Sequence, residues 1–166
     1  MSNIYLVGLP GSGKTTIGKL FAKKLNKKFV DLDKYIVNRE EKTISMLFEE
    51  GEEVFRKAET DSLKEIIENF NDYIVATGGG VVETPENIEL LKKQPVIYLY
   101  RPIPLILSTL NAEKRPLLKN NPDKLYEIWR RRKSKYEEVA TFKVRNNRGF
   151  RYCVDKLLKI NLDKIC

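Results

Sequence analysis

The feature that most constrains the fold is the run GLPGSGKT at residues 8–15, which matches the pattern G-x-x-x-x-G-K-[ST] at every fixed position. Residues 4–7 before it read as a short buried strand, and from Thr15 onward apolar residues recur at helical spacing. In a strand–loop–helix unit of this kind, backbone N–H groups and the positive end of the helix surround a phosphate group. We therefore predict that residues 8–15, the phosphate loop, bind a nucleotide.

The rest of the chain alternates between apolar runs and helical segments. Apolar runs predict further strands at residues 29–33, 73–77, 96–100 and 142–145. Helical spacing or composition marks residues 34–70 (interrupted around Gly51), 85–93, 104–110, 125–140 and 152–160. This alternation predicts an α/β fold with a parallel sheet covered by helices on both faces. The 166 residues suit one domain, so we expect a single domain over residues 1–166.

Within the phosphate loop, individual residue types point to individual tasks. Lys14 is expected to bridge the β- and γ-phosphates, and the hydroxyl of Thr15 to occupy one position around Mg²⁺. The remaining predicted nucleotide-binding residues are Gly11, Ser12, Gly13 and Thr16. The chain has neither an Asn-Lys-x-Asp motif for guanine nor a second domain to move. A small-molecule kinase is therefore favoured over a GTPase switch or a motor.

Several residue types are scarce, and this excludes other chemistry. The sequence contains no histidine and two cysteines, Cys153 and Cys166, which excludes histidine nucleophile systems, histidine metal sites and a four-cysteine zinc site. No apolar run approaches the roughly 20 residues of a membrane span, and the first residues do not resemble a signal peptide. We expect a cytoplasmic protein without a membrane partner. Its net charge of +8 suits an enzyme with anionic substrates.

A pair of carboxylates follows the second predicted strand. If that strand extends over residues 29–33, the side chains of Asp31 and Asp33 point to the same face at its carboxyl end, near the phosphate loop. One carboxylate then holds Mg²⁺ through water, and the other accepts a proton from an attacking hydroxyl group. Capping of the next helix by Asp33 explains the pattern about as well.

Three consecutive glycines, Gly78, Gly79 and Gly80, follow the third predicted strand. We call residues 78–80 the triple glycine. Glycines at a strand end allow a ligand to approach the backbone closely, although they also make an ordinary turn. Their position next to the predicted phosphate loop favours a ligand contact.

Arginines form the last group of candidates. For Arg56, Arg115 and Arg132 taken singly, a surface ion pair is the simpler interpretation. Arg132 also belongs to a basic run at residues 130–133 that is compatible with a nucleic-acid patch. No aromatic platform or base-reading motif accompanies this run, so we expect no nucleic-acid partner.

Taken together, these motifs resemble the shikimate kinase family over about residues 4–144. The motifs are the phosphate loop, Asp31-x-Asp33, Phe55-Arg56, Thr77-Gly78-Gly79-Gly80, Arg115-Pro116-Leu117-Leu118 and Arg132-x-x-x-Tyr136-x-x-Val139-Ala140. The resemblance implies ATP-dependent phosphorylation of the 3-hydroxyl group of shikimate, in the pathway to chorismate and the aromatic amino acids. It also implies a P-loop kinase fold whose five parallel strands are ordered 2-3-1-4-5.

The resemblance further implies a role for each acceptor-side residue. Asp33 is implied to be the catalytic base, and Asp31 to lie near Mg²⁺ through water. Arg56 and Arg132 are implied to hold the shikimate carboxylate, and the backbone of the triple glycine to approach the ring hydroxyls. Residues 33–70 would then form the shikimate-binding helical region.

The resemblance also implies a lid and leaves the adenine side open. The lid spans residues 111–124, and within it Arg115 is implied to close on the phosphates. The family usually has an arginine that stacks on adenine where this chain has Ser108, and often a proline in the loop that is here residues 146–150. Arg148 is the candidate adenine contact in that loop.

Two other functions stay open on the sequence. One is a different small-molecule kinase of this fold, such as a gluconate or nucleoside monophosphate kinase. The other is a nucleotide-dependent regulator or nucleic-acid-binding module. We expect the chain to be monomeric.

Overall fold

A computed structural model describes residues 2–110 and 120–160. The strands are β1 (Ile4–Val7), β2 (Lys28–Asp31), β3 (Tyr73–Ala76), β4 (Val96–Tyr100) and β5 (Phe142–Arg145). The α-helices described are α1 (Lys14–Leu25), α2 (Leu32–Glu40), α3 (Ile44–Glu50), α4 (Glu52–Asn69), α5 (Pro85–Leu91), α6 (Ile103–Thr109), α7 (Pro122–Val139) and α8 (Phe150–Leu158). A 3₁₀ turn covers Val81–Glu83.

The strands form one parallel sheet in the order β2-β3-β1-β4-β5. This confirms the predicted α/β fold and strand order. β1 lies at the centre, where Tyr5 pairs with Val75 of β3 and with Val96 of β4. Because β1 leads into the phosphate loop and β3 leads into the triple glycine, the two loops emerge side by side at the carboxyl edge of the sheet.

The sheet separates two hydrophobic layers. Along β1, Tyr5 and Val7 contribute to the larger layer beneath α2 to α7, whereas Ile4 and Leu6 contribute to the layer beneath α1 and α8. Successive side chains of a strand point to opposite faces, so a strand buried on both faces has to be apolar throughout. This explains why the central strands appear in the sequence as unbroken apolar runs.

The second strand is shorter than predicted. It ends at Asp31, and α2 begins at Leu32 instead of continuing as strand to Asp33. Asp31 is the helix cap, because its Oδ1 accepts hydrogen bonds from the backbone N–H groups of Asp33 (3.0 Å) and Lys34 (3.3 Å). The prediction that both carboxylates lie on one face of a strand was therefore wrong, as was capping by Asp33.

The long helical region at residues 33–70 contains α2, α3 and α4. Gly51 separates α3 from α4 with φ at +143°, which confirms the predicted interruption. Farther along the chain, α7 begins at Pro122, three residues before the predicted start, because proline fits the first helical turn. The carboxyl end of the predicted lid, residues 122–124, is thus helical. Residues 111–119 lie outside the described residues.

Candidate active site

The phosphate loop is held in a tight, glycine-dependent conformation. Gly11 and Gly13 have φ values of +81° and +98°, which side-chain-bearing residues rarely adopt. A Cβ atom on Gly11 would lie 2.8 Å from Cγ2 of Ile106, and one on Gly13 would lie 2.9 Å from Nδ2 of Asn146. The loop is therefore fitted between α6 and the segment after β5.

Lys14 lies beneath this loop and is buried. Its Nζ donates hydrogen bonds to the carbonyl oxygens of Gly8 (2.6 Å) and Leu9 (2.9 Å). A buried ammonium group needs hydrogen-bond acceptors around it, and these carbonyl groups provide them. The positive charge is thus concentrated on the loop that precedes the amino end of α1.

Thr15 and Asp31 meet at the edge of the loop, as the metal prediction required. The hydroxyl of Thr15 donates to Oδ2 of Asp31 at 2.8 Å, while the other carboxylate oxygen of Asp31 caps α2. Hydroxyl and carboxylate oxygens are ligands that suit Mg²⁺. Among residues 2–110 and 120–160, no group of three or more histidine, cysteine or acidic residues is arranged to hold a metal ion by itself.

Asp33 lies in the first turn of α2 and faces the triple glycine. A Cβ atom on Gly78 would lie 2.9 Å from Oδ1 of Asp33, so the absence of a side chain lets this carboxylate approach the backbone. A Cβ atom on Gly79 would lie 2.6 Å from Cδ of Pro10, which belongs to the phosphate loop. The triple glycine therefore touches both the predicted base and the predicted nucleotide site.

Arg56 reaches the same loop from α4. Its Nη1 donates to the carbonyl oxygen of Gly80 and to Oε1 of Glu59, each at 2.9 Å. The guanidinium group lies 5.2 Å from the centre of the Phe55 ring. A Cβ atom on Gly80 would lie 2.6 Å from both Nη atoms. Because Gly80 has no side chain, the guanidinium group of Arg56 can lie against its backbone.

Glu59 is a buried carboxylate that the sequence analysis did not select. Burial raises its pKa to about 7, and Asp33 adds to this increase, whereas Arg56 and Arg132 lower the pKa through their positive charges. Glu59 is therefore within electrostatic reach of all three predicted acceptor-side residues. The spacing of Arg56 and Glu59, three residues apart on one helix, was the available sequence signal.

Arg132 is buried on α7, whereas its neighbours in the basic run are exposed. An ion pair joins its Nε to Oε1 of Glu83 at 3.4 Å. One turn later, the hydroxyl of Tyr136 donates a hydrogen bond to the carbonyl oxygen of Gly79. Burial raises the pKa of Tyr136, which keeps its hydroxyl a donor. α7 is thereby fixed against the triple glycine.

On the nucleotide side, Asn146 joins two distant segments. Its Nδ2 donates to the carbonyl oxygen of Ser12 at 2.9 Å, and its backbone N–H donates to Tyr100 at 2.7 Å. Sequence reasoning gave no role to this buried amide. Arg101, also not selected, donates from Nη1 to the carbonyl oxygen of Gly11 at 3.1 Å.

Ser108 and Arg148, the two residues singled out on the adenine side, both lie at the surface. Ser108 is exposed, and its hydroxyl donates back to the carbonyl oxygen of Leu105 on its own helix at 2.8 Å. Arg148 is exposed as well, with its guanidinium 5.3 Å from the centre of the Tyr152 ring. Neither side chain is directed into the phosphate loop by a described contact.

One cavity of about 420 Å³ brings the two halves of the site together. Its lining residues are Pro10, Gly11, Gly13, Lys14, Thr15, Thr16, Asp31, Asp33, Thr77, Gly78 and Gly79. Arg56 lies behind this lining through its hydrogen bond to Gly80, and Arg132 through its ion pair with Glu83. Neither of these arginines lines the cavity, and Arg148 does not line it either. Arg115 falls outside the described residues. The arrangement places the phosphate loop, the carboxylate of Asp33 and the triple glycine around one space, with two arginines behind the triple glycine and its continuation.

None of the helices in the described part of the chain is both long enough and apolar enough to cross a membrane.

Comparison with known proteins identifies the family. The family model for shikimate kinase matches residues 10–160. A shikimate kinase of Clostridium botulinum (strain Alaska E43 / Type E3) is 39% identical over 160 residues, which cover 96% of each chain. The bifunctional shikimate kinase/3-dehydroquinate synthase of Thermotoga maritima is 47% identical over 136 residues, 81% of this chain. The match spans 27% of the length of that protein.

A solved structure gives the same result. The shikimate kinase from Acinetobacter baumannii in complex with shikimate superposes with a TM-score of 0.90 at 39% identity, covering 99% of this chain and 94% of that one. Fold, site composition and sequence similarity thus agree, and the chain belongs to the shikimate kinase family.

Proposed function

We propose that this chain transfers the γ-phosphoryl group of ATP to the 3-hydroxyl group of shikimate, which yields shikimate 3-phosphate and ADP. The reaction belongs to the pathway to chorismate and the aromatic amino acids. The cavity of about 420 Å³ supports this assignment most strongly, because it joins the phosphate loop to the carboxylate of Asp33 and to the triple glycine, behind which Arg56 and Arg132 lie. The family membership and the shikimate-bound relative agree with it.

The nucleotide phosphates bind in the phosphate loop. Backbone N–H groups of Gly11 to Thr16 surround them at the amino end of α1. The ammonium group of Lys14, now bonded to loop carbonyl oxygens, turns toward the β- and γ-phosphates and balances their charge. Because phosphoryl transfer depends mainly on positioning and charge, this preorganisation supplies a large share of the rate.

Thr15 and Asp31 fit a magnesium ion. Their oxygen atoms, 2.8 Å apart, are of the type that Mg²⁺ binds. Thr15 would hold the ion directly and Asp31 would hold it through water. Bound Mg²⁺ would neutralise phosphate charge during transfer.

Asp33 is the catalytic base. The shikimate hydroxyl oxygen forms a bond to the γ-phosphorus, the bond between that phosphorus and the bridging oxygen of ADP breaks, and the hydroxyl proton passes to Asp33. A carboxylate at the start of α2, next to Gly78, is placed between the acceptor side and the phosphate loop. General-base catalysis of this kind contributes on the order of 10²–10⁴ in rate.

Arg56 and Arg132 hold the carboxylate of shikimate, and the backbone of the triple glycine approaches its ring hydroxyls. Planar guanidinium groups bind carboxylates through paired hydrogen bonds, which lysine does not reproduce. Both arginines come from helices that contact the triple glycine or its continuation. The carboxylate and the ring are thereby recognised by neighbouring parts of one surface.

Arg115 in the lid closes on the phosphates, and Arg148 contacts the adenine; both roles rest on the family resemblance. Lid closure keeps water away from the γ-phosphate. We also propose that the enzyme is a monomeric, single-domain cytoplasmic protein without nucleic-acid or membrane partners.

The test is ATP consumption by the purified protein with Mg²⁺, with and without shikimate. Gluconate and a nucleoside monophosphate serve as alternative acceptors. Saturable turnover that depends on shikimate and far exceeds the basal ATPase rate is expected. No stimulation, in protein that still binds ATP, would reject shikimate as the acceptor and leave the nucleotide site standing.

A further inference from the structure

We propose that Glu83 is a positioning residue for substrate recognition: its carboxylate fixes Arg132 so that the arginine's terminal nitrogens face the acceptor carboxylate. This inference rests on the proposed function, because it concerns the same acceptor site. Glu83 ends the 3₁₀ turn that directly continues the triple glycine. The sequence analysis assigned it no role.

The carboxylate of Glu83 lies close to three basic side chains of α7. Its Oε2 accepts a hydrogen bond from Nε of Arg131 at 2.9 Å, and its Oε1 lies 3.4 Å from Nε of Arg132 and 3.6 Å from Nζ of Lys135. The exposed fractions differ sharply: 16% for Glu83 and 10% for Arg132, against 54% for Arg131. The contact with Arg132 is therefore the shielded one, where charge interactions are strongest.

The atom through which Arg132 makes this contact matters for recognition. The ion pair with Glu83 uses Nε, at the inner side of the guanidinium group. The two Nη groups at the outer end form the fork that matches a carboxylate with two parallel hydrogen bonds. Neither Nε of Arg132 nor Oε1 of Glu83 has a hydrogen-bond partner among the described residues, so the contact acts through charge. A carboxylate that attracts the inner side favours one orientation of the fork without competing with the substrate for it.

The position of Glu83 is itself set by the triple glycine. The backbone N–H of Val81 donates to Gly78 at 3.2 Å, and that of Glu83 donates to Gly80 at 3.0 Å. Tyr136, one turn beyond Arg132, bonds to Gly79 from α7. The loop that approaches the ring hydroxyls and the arginine that holds the carboxylate are thus linked at two points.

Glu83 is suited to act as a fixed negative charge. Burial by itself raises its pKa, but the charges of Arg132, Arg131 and Lys135 outweigh burial, and the pKa lies below its ordinary value. The carboxylate consequently stays ionised wherever the enzyme works near neutral pH. A neutral amide of the same shape would keep the packing and lose this charge.

The test replaces Glu83 by glutamine and measures KM and kcat separately. For Glu83→Gln we expect the shikimate KM to rise on the order of tenfold, as for other residues that orient a ligand-binding side chain. The kcat and the KM for ATP should change less than about twofold, a split that uniform loss of substrate binding produces. Glu86→Gln is the matched control, because Glu86 forms an exposed ion pair with Lys64 at 2.5 Å one turn away.

A double variant separates orientation of Arg132 from general stabilisation of α7. If Glu83 acts through Arg132, then Glu83→Gln should raise the shikimate KM much less in an Arg132→Lys background than in the wild type. Equal factors in both backgrounds, or an unchanged KM in the single variant, would overturn the inference. Should Glu83→Gln lower the melting temperature, shikimate binding to the folded protein is measured by calorimetry, with the same expected loss of affinity.

These outcomes are distinct from failure of the proposed function. If the wild-type chain shows no turnover that depends on shikimate, the acceptor assignment fails and the inference fails with it. If the wild type is active and Glu83→Gln leaves the shikimate KM unchanged, the acceptor assignment is retained and the role of Glu83 is rejected.

Discussion

The two sides of the cavity are built in different ways. The nucleotide side is built around one continuous segment, residues 8–15, whose shape depends on glycine conformations and on hydrogen bonds to its backbone carbonyl groups. The acceptor side is assembled from α2, α4, the triple glycine and α7, and it depends on charged side chains. Each of its arginines is paired with a shielded carboxylate, Arg56 with Glu59 and Arg132 with Glu83.

This difference explains what each side can vary. A loop made of backbone groups binds phosphate whatever else the ligand carries, so its recognition is general. The paired carboxylates influence how the arginines are oriented and how strongly they bind the acceptor. Recognition of the acceptor is therefore adjustable through residues that do not touch it. Changes on one side should therefore alter the kinetics of that side's substrate alone.

The largest effect is expected for Asp33, which lies between the two sides. Asp33→Asn is expected to lower kcat on the order of 10²–10⁴, because the amide cannot accept the hydroxyl proton. ATP binding should be retained, since Asp33 belongs to α2 and is not part of the phosphate loop. Steady-state kinetics and nucleotide titration test this, with Asp155→Asn on the exposed face of α8 as the control. A rate near that of the wild type would remove the base assignment.

A smaller effect, confined to the acceptor side, is expected for Arg132→Lys. The shikimate KM should rise roughly 10–100-fold, because lysine keeps the charge but loses the paired hydrogen bonds. The KM for ATP should not change. Arg130→Lys, exposed on the same helix, is the matched control. An unchanged shikimate KM, or an equal change in both constants, would contradict the separation of the two sides.

The converse test lies on the nucleotide side. Asn146→Ala removes the amide that donates to the carbonyl oxygen of Ser12 and leaves that buried carbonyl without this partner. We expect the KM for ATP to rise roughly tenfold, from the 1–3 kcal/mol that such a loss costs. The shikimate KM should stay within about twofold. Asn147→Ala, at the exposed neighbouring position, should behave like the wild type.

The smallest effect is expected in the pH dependence of shikimate binding. Glu59 has a pKa raised to about 7, chiefly by burial, so it is partly ionised near neutral pH. Bound shikimate adds a negative charge beside Arg56 and should raise this pKa further, so the complex holds more protons than the free enzyme. Shikimate affinity should therefore weaken as the pH rises through about 7, by a factor of roughly three for half a pKa unit.

Calorimetry in two buffers with different ionisation enthalpies measures the predicted uptake of a fraction of a proton. Glu59→Gln should abolish both the uptake and the pH slope, whatever it does to the affinity itself. Glu68→Gln, exposed on the same helix, should leave both in place. Release of protons on binding would show that the sign assigned to Glu59 is wrong.

The sequence predicted the parts of the site that depend on consecutive residues. The phosphate loop could be recognised because its conformation requires glycines at fixed spacing, and the strands because burial on both faces demands unbroken apolar runs. The strand order came from the family resemblance, and the sheet confirms it.

The parts that depend on distant pairing were not predictable in this way. Glu59, Glu83 and Asn146 read as ordinary polar residues, since their importance comes from burial against partners elsewhere in the fold. Asp31 shows a local limit as well. Strand alternation and helix capping both explain an Asp-x-Asp pattern, and only the hydrogen bonds to Asp33 and Lys34 decide that α2 begins at Leu32.

The missing Cβ atoms of the triple glycine have a consequence for inhibitor resistance. A side chain at Gly79 would meet Pro10 of the phosphate loop at 2.6 Å, and one at Gly80 would displace the guanidinium group of Arg56. Point mutations here would damage the site before they could exclude a competing compound. A substrate analogue that touches mainly this backbone would therefore leave a target population few tolerable escape mutations at its point of contact.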